Sequence, residues 1–190
     1  MFVDYLTLML VNLVAGLFLL AYYVWRGLED SDQKRWVPAF SIVGMLALVT
    51  GLPMIWNWPL PNSHNIAFGE MSVFFGALFL GAALALAKEW NLSILGVYAF
   101  FAGAAAVTVG ARILNLGMTK EPLLSSIGFI LAGLGGMFAA ATLCLRANRV
   151  LRVLGAVALV LAALIFAFTG YGAYWDHLAG FSKWVPPTMK

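Results

Sequence analysis

The sequence predicts an all-α, polytopic membrane protein built as a bundle of six transmembrane helices. Six long apolar stretches occupy most of the 190-residue chain, and each reaches the roughly 20 residues that a helix needs to cross a bilayer. The composition agrees, since 63% of the residues are hydrophobic, 10% are charged and the mean hydropathy is +0.94. Too few residues remain between these stretches for a soluble domain.

The predicted spans form one transmembrane domain that extends over residues 1–190. Their bounds, in chain order, are Tyr5–Trp25, Pro38–Trp58, Ala67–Ala87, Leu92–Leu116, Pro122–Leu145 and Val150–Tyr174. The first span does not resemble a cleaved signal peptide, because Asp4 stands where such a peptide carries positive charge and because the apolar run is too long. The short connections predict that consecutive helices are antiparallel neighbours.

Basic residues are distributed unevenly between the connections, and this distribution predicts the orientation. The first, third and fifth connections carry most of them: Arg26, Lys34, Arg35, Lys88, Arg146, Arg149 and Arg152. By the positive-inside rule, these connections face the cytoplasm, and both termini lie on the outer side of the cytoplasmic membrane. The net charge of +3 forms no single basic patch, so nucleic acid is not expected as a partner.

Small residues recur at helix-packing spacing in three spans. Gly96, Gly103, Gly110 and Gly117 repeat every seven residues along the fourth span, and similar rows lie at Gly128, Ala132 and Gly136 and at Ala77, Gly81 and Ala85. Helices in lipid associate through close backbone approach, which small residues allow. These rows therefore predict close helix–helix contacts.

A weak internal repeat connects the second, fourth and sixth spans. The segments Val49-Thr50-Gly51, Thr108-Val109-Gly110 and Phe168-Thr169-Gly170 each precede the outer end of their span. Because alternate spans run in the same direction, this pattern predicts a parallel repeat of helical hairpins. Coincidence in a glycine-rich membrane sequence is the alternative.

Several segments resemble a known family of small prokaryotic membrane proteins. They are Asn65-Ile66-Ala67-Phe68-Gly69-Glu70, Arg112-Ile113-Leu114-Asn115-Leu116-Gly117, Glu121-Pro122 and Gly170-Tyr171 through Trp175. The family is catalogued as domain of unknown function 981, and the resemblance covers essentially the whole chain. It implies a stand-alone multi-pass bundle from a bacterium or archaeon, and it brings no established activity or functional residue.

Polar side chains collect at the predicted outer ends of the spans. The group comprises His64, Glu70, Arg112, Asn115, Glu121, Asp176 and His177. Arg112 lies inside its span, where a charge is costly unless it is paired or hydrated, and Glu70 is predicted at the same depth. We interpret the two as the charged pair of a solute or ion site with Asn115 and Tyr171 as hydrogen-bonding walls, or as a structural ion pair. Glu121 is a further candidate, although an acid before Pro122 is also typical of a helix start.

The two histidines support a second hypothesis. His64 and His177, with Asp176 beside the latter, could hold haem b or copper, or contact a quinone. No His-x-x-x-His or Glu-x-x-His spacing supports such a site, and two interfacial histidines without a cofactor are the alternative.

Three functions remain open from the sequence. The first is small-solute or ion binding and transport at a polar site near the outer face. The second is a redox module or accessory subunit of a respiratory complex. The third is a non-catalytic structural subunit whose partners are membrane lipids, other complex subunits or further copies of the chain. No enzymatic motif is present, so an enzyme is not expected.

Overall fold

The computed structural model describes residues 4–185, and the described chain is helical without strands. Seven α-helices follow one another: α1 (Tyr5–Trp25), α2 (Val37–Asn57), α3 (Met71–Ala87), α4 (Leu95–Leu116), α5 (Pro122–Met137), α6 (Ala139–Cys144) and α7 (Arg149–Gly180). A π-helical segment, Asn65–Glu70, leads directly into α3, and short 3₁₀ turns lie at Gly27–Glu29, Lys34–Trp36 and Leu92–Ile94. The predicted all-helical membrane bundle is confirmed.

The last two predicted spans differ from the observed helices. The stretch 122–145 is divided at Phe138 into α5 and the six-residue α6. The break comes two residues after Gly136, which follows Gly135, because glycine weakens a helix interior. Helix α7 has 32 residues, about 48 Å at 1.5 Å per residue, and exceeds the roughly 30 Å of a hydrocarbon core. His177, predicted to follow the span, therefore lies on α7. Among residues 4–185, five helical segments are long and apolar enough to span a membrane, and α5 is a shorter apolar helix.

The helices form a closed ring. Each packs against its neighbours in the chain, and α7 returns to pack against α1. We call the end with residues 26–36, 88–91 and 145–148 the basic end. The opposite end, with Asp4 and residues 58–64, 117–121 and 181–185, is the terminal end. Helices α1, α3 and α5 run from the terminal end towards the basic end, and α2, α4 and α7 run back.

Three helix pairs in this ring pack most closely, namely α2–α3, α4–α5 and α7–α1. The glycines of the predicted repeat all lie at these contacts: a Cβ added at Gly51, Gly110 or Gly170 would stand 3.0–3.1 Å from atoms of the paired helix or its π-helical start. The three preceding threonines each donate a hydrogen bond to the carbonyl four residues earlier. This shared geometry supports the hairpin repeat, which stays a prediction.

The heptad row of α4 has two roles. Gly96, Gly103 and Gly110 face α6 and α5 at distances that leave no room for a side chain, as the spacing predicts. At Gly117, by contrast, no atom lies within 4 Å of the position that a Cβ would take. This residue has a φ of 60° and ends α4 in the left-handed conformation, which glycine adopts without strain. The fourth member is therefore a helix cap and not a packing residue.

Arg152, which was predicted to lie in the fifth connection, is buried at the basic end. Only 5% of the residue is exposed. Its guanidinium donates to the carbonyls of Val24 and Trp25 at the end of α1 and to the carbonyl of Arg146. It also pairs with the carboxylate of Glu29. The side chain thus satisfies the carbonyls that a helix C-terminus leaves open and joins α7 to α1.

Candidate functional site

A central cavity of about 560 Å³ lies inside the ring and is lined by residues of all seven helices. Within residues 4–185, no charged side chain lines it. Its two polar side chains are occupied elsewhere: the Tyr23 hydroxyl donates to Gln33 Oε1 at 2.8 Å, and the Thr142 hydroxyl donates to the Phe138 carbonyl at 3.0 Å. The wall is therefore apolar over nearly all of its surface.

A smaller cavity of about 50 Å³ adjoins the central one on the side of the terminal end. Leu6, Met9 and Leu10 of α1 and Phe68 of the π-helical segment contribute to its wall. Four side chains border both cavities, and we call them the collar: Leu13, Met71, Phe75 and Phe129. The collar therefore separates the two spaces.

Phe129 is the most buried member of the collar. Its ring centroid lies 5.9 Å from that of Phe68 and 5.4 Å from that of Phe166, in tilted and edge-to-face arrangements that aromatic rings favour. The Phe166 ring rests on Gly128, where a Cβ would come within 3.1 Å of it. The π-helical segment, α5 and α7 thus meet through three rings at the terminal side of the central cavity.

The small cavity also contains polar side chains that sequence analysis missed. Asn12 is 7% exposed, and its Nδ2 donates to the Val43 carbonyl at 2.9 Å. The Ser72 hydroxyl donates to the Ala47 carbonyl at 2.9 Å. Both side chains line the cavity. The signal was present, because Asn12 is the one amide in the first apolar stretch, and polar groups within spans are often functional.

The predicted solute residues lie away from both cavities. Arg112 and Asn115 are exposed, and the Arg112 guanidinium donates to Asn115 Oδ1 at 2.7 Å. Three residues apart on one helix, they share a face that α4 turns outward. Tyr171 and Glu121 are exposed, and Glu70 is half-buried in the π-helical segment. Within residues 4–185 no ion pair joins Arg112 to Glu70, so the predicted pairing is not formed.

The two histidines belong to separate hydrogen-bonded clusters. His64 Nδ1 lies 2.8 Å from the Pro61 carbonyl and Nε2 lies 2.7 Å from the Met118 carbonyl. His177 Nδ1 lies 2.6 Å from Asp4 Oδ2. Asp176 forms an exposed ion pair with Lys120 at 3.9 Å. Among the described residues, no three His, Cys, Asp or Glu side chains are placed to hold a metal together.

The contact between Asp4 and His177 predicts a loss of stability in acid. Burial raises the pKa of Asp4, but hydrogen bonds from His177 and Thr7 outweigh it and hold the pKa below its ordinary value of 3.8. A lowered carboxyl pKa stabilises the folded state above the ordinary value, and this contribution is lost as the pH falls through the lowered pKa. We expect wild type to melt at a higher temperature than Asp4→Asn at neutral pH and to lose that advantage below pH 3.8. An advantage that stays constant across the titration would contradict this assignment.

Comparison with known proteins agrees with this architecture. The cryo-EM structure of the Helicobacter pylori urea channel in its closed state matches with a TM-score of 0.66 and 21% sequence identity, covering 95% of this chain and 100% of that chain. At this identity the likeness concerns the fold. No curated protein matches the chain significantly. The family model described as protein of unknown function DUF981 matches residues 1–180, and the chain therefore belongs to the DUF981 family.

Proposed function

We propose that this protein is a membrane channel for small, uncharged solutes, which pass along the interior of the helix ring. The observation that carries the proposal is the pair of adjoining cavities inside a closed ring, separated by the collar of Leu13, Met71, Phe75 and Phe129. A bundle that served only as a packing scaffold would have no need of a void of about 560 Å³, because protein interiors are normally close-packed.

The chemistry of the wall favours uncharged solutes. An ion that enters an apolar space loses its hydration, and the cost is several kcal/mol or more unless charged or polar groups replace the lost water. No charged side chain in the described part of the chain lines the central cavity, and the hydroxyl groups that line it are already engaged in hydrogen bonds. Hydrophobic constrictions are also known to exclude ions by dewetting. The route therefore suits small neutral molecules.

The fold likeness to the urea channel supports the same class of function and makes urea the first solute to test. The Phe129 ring, which borders both cavities, is the barrier that we propose for this route. A solute contact at the terminal end stays a prediction. Its residues are the exposed Arg112, Asn115, Tyr171 and Glu121 and the half-buried Glu70.

The proposal includes the placement of the channel in the membrane. We place the basic end in the cytoplasm by the positive-inside rule, with both termini outside and with α5 and α6 together forming the fifth of six crossings. Apolar side chains such as Phe101 and Phe168, which are 68% and 72% exposed, would then contact lipid. Association with further copies of the chain or with other subunits stays a prediction.

The proposal is tested by solute flux into proteoliposomes. Sealed vesicles that contain the purified protein are expected to shrink and recover faster than empty vesicles after an osmotic step with urea. Chloride salts and sugars should stay excluded from them. Stopped-flow light scattering measures the change in vesicle volume with each solute. Vesicles with protein that are as impermeable to urea and other small neutral solutes as empty vesicles would refute the proposal.

Phe129→Ala is expected to raise urea flux about tenfold and to admit larger neutral solutes. Its ring borders both cavities, so truncation joins them. Because removing a buried phenylalanine costs about 3–5 kcal/mol, Phe129→Leu serves as a milder second variant, and melting curves check folding. Phe101→Ala, on the exposed face of α4, is the matched control and should conduct like wild type. A flux unchanged in both Phe129 variants would show that the collar is not the barrier.

A further inference from the structure

We propose that the small cavity is a recognition site in which the side-chain carbonyl of Asn12 accepts a hydrogen bond from the passing solute. The inference rests on the proposed channel function and names the class of solute: small, uncharged molecules that carry N–H or O–H donors, such as simple amides and ureas. It is carried by the orientation of one buried amide.

The hydrogen bond to α2 determines which way the Asn12 amide points. The Val43 carbonyl can only accept, so the Asn12 atom 2.9 Å from it must be the Nδ2 donor. This leaves Oδ1 as the atom directed elsewhere. Within residues 4–185 Oδ1 has no hydrogen-bond partner, and every fully inaccessible side-chain nitrogen or oxygen in that part of the chain does have one. Since Asn12 lines the small cavity, Oδ1 is the acceptor available there.

Ser72 adds a second acceptor to the same cavity. Its hydroxyl hydrogen is used in the bond to the Ala47 carbonyl at 2.9 Å, and the lone pairs of its oxygen remain. The other residues lining this cavity are Leu, Met and Phe. The cavity therefore offers two acceptors, Asn12 Oδ1 and Ser72 Oγ, beside the second N–H of Asn12 Nδ2, and it favours a molecule that donates.

The size of the cavity limits the solute to a few heavy atoms. About 10–15 Å³ of such volume holds one water molecule, so about 50 Å³ corresponds to a solute of a few such volumes. A cation could also donate, but no acidic side chain lines the cavity, and an uncompensated charge in apolar surroundings is strongly disfavoured. An uncharged donor of this size fits both constraints.

A pair of solutes matched in shape tests the recognition directly. Acetamide and acetone have nearly the same shape, but only acetamide carries N–H donors. In proteoliposomes containing the full chain, excess acetamide is expected to reduce tracer urea flux, and acetone at the same concentration is expected to leave it unchanged. Equal inhibition by the two, or inhibition by neither, overturns the inference.

The variant Asn12→Leu tests the residue. It keeps the side-chain volume and removes the acceptor, so urea flux is expected to fall about tenfold, as for the loss of one hydrogen bond, and the difference between acetamide and acetone should disappear. Thr50→Val is the matched control, because Thr50 is also buried and bonded to α2 carbonyls but lines neither cavity. It should behave like wild type.

The outcomes separate this inference from the channel function. If wild type conducts urea and a folded Asn12→Leu conducts like Thr50→Val, the recognition site is wrong and the channel remains. If wild type conducts no small neutral solute, the proposed function fails and the inference fails with it. If Asn12→Leu does not fold, the acetamide and acetone comparison on wild type decides.

Discussion

Replacing Arg152 with methionine is expected to destabilise the protein by about 3–5 kcal/mol, which is the typical cost of removing one partner from a buried charged network. The guanidinium donates to three backbone carbonyls and pairs with the Glu29 carboxylate. Methionine fills much of the same volume but satisfies none of these acceptors. The carbonyls of Val24 and Trp25 at the end of α1 would then lack hydrogen-bond partners. Each hydrogen bond to a charged group contributes about 1.5–3 kcal/mol to stability.

Two further variants separate the role of Arg152 from charge alone. Arg149→Met removes an exposed cation three residues earlier on α7 and should change stability by less than about 0.5 kcal/mol. Glu29→Gln removes the carboxylate partner, which is well exposed at 63%, and should have only a small effect. Thermal melting in detergent, followed by tryptophan fluorescence, gives all three values. If Arg152→Met has the same melting temperature as Arg149→Met, the buried guanidinium does not hold α1 to α7.

Replacing Gly103 with alanine is expected to cost about 3 kcal/mol, at the upper end of what overpacking usually costs. Helices α4 and α5 touch through their backbones at this point. A Cβ at Gly103 would overlap the Gly133 carbonyl oxygen, and a Cβ at Gly133 would stand 2.6 Å from the Gly103 carbonyl oxygen. No flexible side chain can move aside, so the helices must separate. Because both glycines line the central cavity, the separation should also alter urea flux.

Gly172→Ala is the control for this substitution. Gly172 lies within α7, and no atom stands within 4 Å of the position a Cβ would take. Alanine should be neutral there or stabilising by about 0.5–1 kcal/mol, because alanine loses less conformational entropy than glycine when the helix forms. The difference in melting temperature between Gly103→Ala and Gly172→Ala isolates the cost of the steric overlap. Equal effects at Gly103 and Gly172 would mean that the α4–α5 contact tolerates separation.

The site was less predictable from sequence than the helices. Arg112 is conspicuous in the sequence because a charge within a span is costly, but it lies on an outward face with Asn115 as its partner. Asn12 was not predicted, since one neutral amide in an apolar run is a weak signal. Its importance comes from the Val43 carbonyl, 31 residues away, and from the cavity beside it.

The sequence by itself determined the class of the protein and the approximate position of its helices, because hydrophobicity over about 20 residues and the turn residues between apolar runs are local properties. It also indicated the glycine contacts of α4, since their spacing follows the helix period. The tertiary structure decided the rest. Closure of the ring by α7 and α1, burial of Arg152 and the collar that separates the two cavities depend on contacts between segments distant in the chain. Such contacts are set by how side chains of particular shapes fit together in space, which periodicity along the chain does not specify.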